Sequence, residues 1–465
     1  MRVGLIQCPL WSALIPPYSL ALLAAVLRRE GHSVCCFDFN VKMQRYITLK
    51  EKLVTASREK EAIDWYDRED VLGIMERHDF YVGQLIDEVL EKNLQVIGFT
   101  IHDTSRWFSQ EIAARIKQRQ PSIKIIFGGP SCFRSEVRSQ FLENENVDGV
   151  CIHEGEIAFK NLINSIEVND SEDSCCPGML YKRKNSAAVE SKTSSAIRDL
   201  NAIPFADFSD FDLRFYDEKG LPLATSRGCI NRCVFCEESI LWGAFRRREA
   251  SNIYAEICYQ LKKHPQVEYF HFNDSLINAD MVMLGELVDF INQGNLHFWW
   301  GGQATIREEM NREFIKKMKH TGFSFVSYGL ESASEKILKL MGKKFSLPLA
   351  QEVIRDTHAE GVYTSINIII GFPQETWEDV IMTEQFLKRN IESIDAVFLH
   401  PLVLLPHSQL YRRKKEFNIF TSNGDGIRGW YVKDGHNDFA ARLEKLKFIE
   451  NSLGEKIHYP FSKFP

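Results

Sequence analysis

The chain has 465 residues, 44% of them hydrophobic and 12% aromatic, a composition that supports large globular cores and about two to four domains. Lys and Arg total 57 against 63 Asp and Glu, so the formal net charge is −6 and no general electrostatic attraction to nucleic acid or a membrane surface is expected. The opening Met1-Arg2-Val3-Gly4-Leu5-Ile6 is not a basic-then-apolar signal segment and no apolar run reaches membrane-spanning length, so the expectation is a cytoplasmic chain with reduced thiols and no membrane span.

Residues 1 to about 165 alternate short apolar runs with helical patterns, as a doubly wound, Rossmann-like parallel sheet does. Val3 to Ile6 starts strand one. Pro16-Pro17-Tyr18-Ser19-Leu20 leads into a helix over Ala21 to Leu27, closed by Gly31, and Ser33 to Phe37 is strand two. Val96 to Thr100 and Lys124 to Phe127 supply two more strands, each followed by a turn at a carboxyl edge, where open sheets bind ligands. Between strands two and three, about residues 42–92 form a charged insertion of helical period. Tyr46, Trp65, Tyr66, Phe80 and Tyr81 make it amphipathic, and it reads either as a helical cap or as a packing appendage. Residues 168–198, polar and Ser-rich with Cys175-Cys176 and Met179-Leu180-Tyr181, read as a hairpin or loop. The expected domains are 1–195 and 219–420, joined by a linker over 196–218 containing Asn201-Ala202-Ile203-Pro204-Phe205 and followed by an extension over 421–465.

From about residue 220 the strand–helix rhythm resumes. Strands are expected at Leu223 to Thr225, Tyr269 to Phe272, His297 to Trp300, Phe323 to Tyr328, Thr364 to Ile370 and Ala396 to Leu399, with helices such as Glu313 to His320 and Leu349 to Glu360. Six parallel strands make a partial (β/α)6 barrel with its site at their carboxyl ends. The tail, with Trp430, Tyr431 and a helix over Phe439 to Glu450, does not continue the rhythm and is expected to pack against the barrel's open side.

The chemistry is written in Cys229-Ile230-Asn231-Arg232-Cys233-Val234-Phe235-Cys236. With 11 Cys in 465 residues, such a triple arises by chance with an expectation of roughly 0.006, so the spacing is a feature and not an accident. Three thiolates at this spacing hold three irons of one 4Fe–4S cluster and leave a fourth iron open to a small molecule. The alternative is a structural zinc site, which usually takes four ligands in two separated pairs, and no second Cys-x-x-Cys exists here.

The CxxxCxxC pattern, with aromatic Phe235 before its last cysteine, resembles the radical S-adenosylmethionine (SAM) enzymes. The resemblance implies that the SAM amine and carboxylate chelate the open iron, that reductive cleavage gives methionine and a 5′-deoxyadenosyl radical, and that Phe235 lies near adenine. It implies SAM contacts from Asn273-Asp274-Ser275 after strand two, although an Asx turn explains that segment equally. It also assigns SAM contacts to Glu331 and Ser332 of Gly329-Leu330-Glu331-Ser332, where a carboxylate can accept from the SAM amine or ribose. The last assigned contacts are Ile370 and Gly371 of Ile368-Ile369-Ile370-Gly371-Phe372-Pro373-Gln374-Glu375, where a glycine lets backbone approach adenine closely. Gln303 and Arg307, after strand three, are candidate substrate or SAM contacts. Met341-Gly342-Lys343-Lys344 repeats a pattern of the same family to which no chemistry is assigned. Arg246-Arg247-Arg248 is a solvated run or an anion contact, and His264, His271, His297, His320 and His358 read as ordinary core or surface histidines.

The first half resembles the cobalamin-binding domain that precedes the barrel in one branch of that family. The features are Pro16 to Ala21, Gly31-His32-x-Val34, Phe127-Gly128-Gly129-Pro130 and Gly149 to Glu156. The resemblance places cobalamin against Thr100, Ile101, His102, Gly128, Gly129, Pro130, Glu154 and Gly155. The chain departs from the classical module in having Gln7-Cys8-Pro9-Leu10-Trp11-Ser12 where Asp-x-His-x-x-Gly would follow strand one, so histidine ligation of cobalt from that loop is not expected. A Rossmann-like domain without cofactor stays open as an alternative; a nicotinamide dinucleotide fold is a weaker one, since no Gly-x-Gly-x-x-Gly follows strand one. The leading expectation is a cobalamin-dependent radical SAM methyltransferase acting on an unactivated carbon of a small molecule or peptide, supplied with electrons by an external flavodoxin- or ferredoxin-type reductant. Rivals are a radical SAM rearrangement or cyclisation enzyme, a tRNA methylthiotransferase, which should carry a second cysteine triad and a basic tail, and a cluster-bearing sensor.

Overall fold

The computed structural model describes residues 1–54, 65–167, 176–183, 186–190, 196–421, 428–433 and 437–458. Cys175 and part of the 42–92 insertion lie outside the described residues. The chain separates into two compact units, Met1–Gly220 and Leu221–Pro465. Among the described residues no helix is long and apolar enough to cross a membrane.

The first unit runs β1 (Arg2–Gln7), α1 (Tyr18–Arg29), β2 (Ser33–Asp38), α2 (Phe39–Val54), α3 (Arg68–Arg77), α4 (Asp79–Leu90), β3 (Val96–Thr100), α5 (Arg106–Arg119), β4 (Lys124–Gly128), α6 (Ser135–Glu143), β5 (Gly149–Cys151), α7 (Gly155–Glu167), β6 (Met179–Arg183) and β7 (Ser186–Glu190). Its sheet has the order β2-β1-β3-β4-β5-β6-β7. Strands β1 to β5 pair in parallel, and β6 and β7 append an antiparallel hairpin to that edge. Chain order reverses between β1 and β3, the switch point where the loops after neighbouring strands diverge and leave a crevice. Strands read as apolar runs because helices cover both faces.

Helices α3 and α4 belong to the core: Val71, Ile74, Met75, Val82, Leu85, Ile86 and Val89 pack with Ile97, Phe99 and Phe108 in one buried cluster. The described part of the insertion is therefore the crossover between β2 and β3, as the packing reading has it. Nor does the 196–218 segment hang free. Arg28 of α1 pairs with both Asp207 and Asp210, the Asp207 amide donates to the Ala21 carbonyl, and the Tyr216 hydroxyl donates to Asp38.

The second unit runs β8 (Gly220–Leu223), β9 (Ser226–Arg227), α8 (Glu238–Leu241), β10 (Arg246–Arg247), α9 (Ala250–Lys263), β11 (Tyr269–Phe272), α10 (Met281–Gly294), β12 (Trp299–Ala304), α11 (Arg312–His320), β13 (Phe323–Glu331), α12 (Glu335–Met341), α13 (Leu347–Ala359), β14 (Tyr363–Ile370), α14 (Trp377–Arg389), β15 (Ala396–Pro401), α15 (Gln409–Arg412), β16 (Ile419–Thr421), β17 (Trp430–Val432), α16 (Phe439–Leu453) and β18 (Ile457–His458). Its main sheet is an open, seven-stranded array ordered β18-β15-β14-β13-β12-β11-β8.

Three differences from the sequence reading have physical causes. Strand β8 stops at Leu223 because the Thr225 amide donates to the Asp274 carboxylate instead of a ladder. Strand β12 begins two residues later than expected and continues to Ala304 through Gly301 and Gly302; a β-carbon on Gly301 would lie 2.1 Å from the Phe325 carbonyl oxygen and 2.2 Å from its ring, so the glycine makes room for that residue on the neighbouring strand. The C-terminal segment does continue the rhythm, since α16 leads to β18, which pairs in parallel with β15.

Candidate functional site

The cysteine loop follows β9 and Gly228, whose φ of +83° suits a residue without a side chain. Val234, between the second and third cysteines, anchors it. Its amide donates to the Met341 carbonyl at 3.0 Å, its carbonyl accepts from the Leu410 amide at 2.7 Å, and its side chain enters a core with Ile337, Met341, Phe372, Leu410 and Trp430. The thiols stay half-buried at the surface of this anchor. The Asn231 amide points at the Cys229 sulfur (3.4 Å) and the Glu238 amide at that of Cys236 (3.5 Å). Burial raises the pKa of all three thiols, that of Cys236 to about 12, so their thiolate forms call for positive charge beside them.

Three cysteine thiols on one short loop, two of them approached by backbone amides, form a donor set that fits three irons of a 4Fe–4S cluster.

Strand β13 carries Glu331 at its end in an unusual backbone conformation, φ +70°, after a register shift between Gly329 and Glu331. Its carboxylate is nearly buried and accepts from Lys343 at 2.9 Å; the same ammonium donates to the Gly329 carbonyl at 2.9 Å and lies 6.0 Å from the centroid of the Phe235 ring. Lys343 is the residue that sequence reasoning left without a role. Its one signal was the Met341-Gly342-Lys343-Lys344 pattern, and Gly342, at φ +81°, passes close to the Arg232 carbonyl and the Cys233 backbone.

Several predicted contacts are occupied within the protein. Asp274 is buried and accepts from the Thr225 amide and hydroxyl and from the Ser226 hydroxyl, tying β8 and β9 to the end of β11; Asn273 beside it is exposed. Ser275 donates to Glu238, and Ser332 is buried against the Thr383 hydroxyl at 3.3 Å. Ile370 is buried. The close approach that Gly371 permits (φ +89°) is to Arg442, whose Cγ would lie 2.3 Å from a β-carbon there. Gln303 sits on β12, not after it, and is exposed; Arg307 is spent on Glu309 and on the Asn278 carbonyl. The basic run is likewise used internally: Arg248 pairs with Glu256, Arg247 with Asp280, and Arg246 donates to the Trp242 carbonyl.

In the first unit, the ends of β3 and β4 are stitched by the Ile101 amide to the Gly128 carbonyl (2.7 Å) and the Ser131 amide to the Ile101 carbonyl (3.2 Å). The His102 ring stacks on Trp11 of the loop after β1, centroids 3.7 Å apart; burial pushes its pKa down to about 4, so it is neutral. Trp11 is 38% exposed, and Gly129 and Pro130 are exposed at the adjoining strand end. The stacked rings give this edge a flat, neutral face that fits a planar ring, flanked by the Asp103–Arg134 ion pair. Thr100 and Ile101 are buried beneath it, Glu154 accepts from the Ile197 amide at 2.6 Å, and Gly155 starts α7 against Leu23, so these positions build the edge's support.

Gly129 itself has φ +95°, and a β-carbon there would lie 2.9 Å from the Ile101 nitrogen and 3.0 Å from its oxygen. Gly129→Val is therefore expected to cost about 2–4 kcal/mol by displacing the β3 end, not only by blocking a ligand. In the full-length protein it should lower the melting temperature and eliminate cobalamin uptake while iron content is kept. Unchanged melting and uptake would show that the edge tolerates the side chain.

A family model described as the radical SAM superfamily matches residues 223–387, and one described as the B12 binding domain matches residues 67–163. The chain thus carries a radical SAM domain and a B12-binding domain. The radical SAM domain implies a 4Fe–4S cluster and SAM as cofactors, and the B12-binding domain cobalamin. An uncharacterized methyltransferase of Pyrococcus horikoshii is 26% identical over 298 residues, 63% of this chain and 64% of that protein, so this chain spans just under two thirds of that relative. A putative methylthiotransferase of Methanocaldococcus jannaschii is 24% identical over 389 residues, 79% of this chain and 81% of that one. The radical SAM methyltransferase TsrM from Kitasatospora setae, solved with cobalamin and a 4Fe–4S cluster bound, has the same fold: TM-score 0.69 at 15% identity over 99% of this chain and 93% of that one.

Proposed function

We propose that this radical SAM protein is a cobalamin-dependent methyltransferase acting on an unactivated carbon of a small molecule or peptide, with an external one-electron reductant as its partner. The observation that carries the reading is the coexistence of a three-cysteine loop and a flat stack of neutral rings, Trp11 on His102, at the switch point of a B12-binding domain. When bound, the cluster and SAM supply a hydrogen-abstracting species and cobalamin a transferable methyl group. The protein's share is positioning. Cys229, Cys233 and Cys236 would hold three irons, Phe235 would lie beside SAM, and Glu331 and exposed Asn273 would orient its polar groups. Gln303 would reach substrate, and the Trp11–His102 stack with Gly129 and Pro130 would support the corrin without a histidine on cobalt. Domains of about 1–195 and 219–420 would divide this work.

A methylthiotransferase is the second reading, favoured by the name of the Methanocaldococcus relative. Against it, the first unit's Cys8, Cys132 and Cys151 are buried with thiols pushed up, which disfavours their serving as thiolate ligands of a second cluster. The test is anaerobic reconstitution with cobalamin, then product mass with candidate substrates. Gain of one methylene with two SAM consumed supports methyl transfer; gain of sulfur as well supports the second reading; an isomeric product overturns both.

Replacing Glu331 by Gln should weaken SAM binding roughly ten- to a hundredfold, the worth of one charge-assisted hydrogen bond, with iron retained. Titration of SAM into the reconstituted variant measures this. An unchanged dissociation constant would make Glu331 a partner of Lys343 alone.

A further inference from the structure

We propose that Lys343 is a built-in countercharge of the 4Fe–4S cluster, placed to hold its reduction potential up before SAM binds. This rests on the reading that Cys229, Cys233 and Cys236 hold the cluster. Lysines usually keep their charge in water. This one is nearly buried, 8% exposed along its side chain, and its ammonium is fixed by the Gly329 carbonyl, the Glu331 carboxylate and the face of Phe235, the residue preceding Cys236. Its own backbone is pinned by a donor bond from the Lys343 amide to the Leu338 carbonyl. The preceding glycine lies near the cysteine loop, for a β-carbon there would come 3.5 Å from the Arg232 carbonyl oxygen and 3.9 Å from the Cys233 Cα. Three contacts thus hold one charge beside the loop that carries the ligands.

The ammonium that pairs with Glu331 also stands 6.0 Å from the centroid of the Phe235 ring, so the pair lies against the residue next to Cys236. The opposing charge on the same loop is Glu238, which Ser275 holds by a hydrogen bond; Lys344 adds a weaker positive influence at Cys233. Three thiolates and an added electron make the reduced cluster more anionic, so a fixed cation stabilises reduced over oxidised cluster in a medium that screens poorly. Because the lysine is already oriented, no reorganisation accompanies electron arrival. Lys343 is a positioning and electrostatic residue here, not one that touches reacting atoms.

The experiment uses full-length protein with reconstituted cluster, in wild type, Lys343→Met, Lys343→Arg and Glu331→Gln. Iron and sulfide analysis comes first; a wild type that assembles no cluster would sink the underlying ligand reading, not merely this inference. EPR-monitored reductive titration without SAM then gives midpoint potentials. Lys343→Met should load iron and shift its midpoint negative, so that where wild type is half reduced the variant's reduced-to-oxidised ratio falls about tenfold, or about 59 mV for one electron. Lys343→Arg should restore most of the shift, and Glu331→Gln should move the midpoint the other way. If Lys343→Met fails to load, Glu331→Gln/Lys343→Met removes both charges together, and its midpoint must fall below that of Glu331→Gln. Equal midpoints in that pair, or in wild type and Lys343→Met, overturn the proposal; equal midpoints with weakened SAM affinity would instead make Lys343 a SAM ligand.

Discussion

Cys229→Ala, Cys233→Ala or Cys236→Ala is each expected to abolish the cluster and with it 5′-deoxyadenosine formation. Three ligands serve three irons, and the one other described cysteine of the second unit, Cys258, sits on α9 where its electrostatic partner is Tyr254. Loss of an outer hydrogen bond to a metal ligand typically costs 10–100-fold in affinity, so loss of the ligand itself should cost at least about a hundredfold. The fold should survive, because the loop's anchor is Val234 and not the thiols. Iron analysis, EPR of the dithionite-reduced protein and chromatography of 5′-deoxyadenosine read the outcome. Near-normal iron together with SAM cleavage in any one variant would refute the assignment.

The largest expected effect on stability lies at Arg442. Its side chain is fully buried and stacks 4.0 Å from the centroid of the Trp430 ring; it donates to the carbonyls of Trp430 at 3.0 Å, Arg428 at 2.7 Å and Asn437. It also fills the space over Gly371. Around it, Lys445 donates to the Glu375 carbonyl and Asn437, Asn437 donates to the Phe372 carbonyl, and Glu375 accepts from the Gly371 amide while burial pushes its carboxyl up to about 7. Arg442→Ala leaves buried carbonyls unpaired and a cavity behind β14, a loss of about 3–5 kcal/mol. At about 2–4 °C per kcal/mol for a unit of this size, melting should fall by roughly 10 °C, with poorer cluster loading. Gly371→Ala should be costly in wild type, where the new methyl meets Arg442, yet cost only the strain of its positive φ in the Arg442→Ala background, and a calorimetric double-mutant cycle measures that coupling. Additive effects, or a fall of under about 2 °C for Arg442→Ala, would place Arg442 outside the support of the site.

The parallel strands were legible because burial on two faces makes them apolar runs, and the radical SAM domain because the cysteine spacing marks it. Lys343 was not legible: a lysine after a glycine reads as solvated surface, and what buries it is Glu331 twelve positions earlier and Phe235, distant in sequence. Asp274 and Ser332 drew attention as ligands through motif position, but hydrogen bonding turns both inward, and that pairing depends on Thr225, Ser226 and Thr383, remote from them in the chain. Gly371 drew attention as a close approach for adenine, whereas the group packed on it here is an arginine from α16, which nothing local announces. Strand β18 is two residues long, too short to carry a period. Backbone pairing with β15, not sequence pattern, makes it a strand.

The anchoring of the cysteine loop also sets an order of events during synthesis. Residues 229–236 emerge early, but the amide that caps Val234 comes from Leu410 and the ring that closes its core from Trp430. On a ribosome the loop must wait for more than 170 further residues before its supporting wall exists. Iron–sulfur insertion is thereby tied to a finished second unit, and a nascent or prematurely terminated chain presents its three thiols without the scaffold that would hold a cubane.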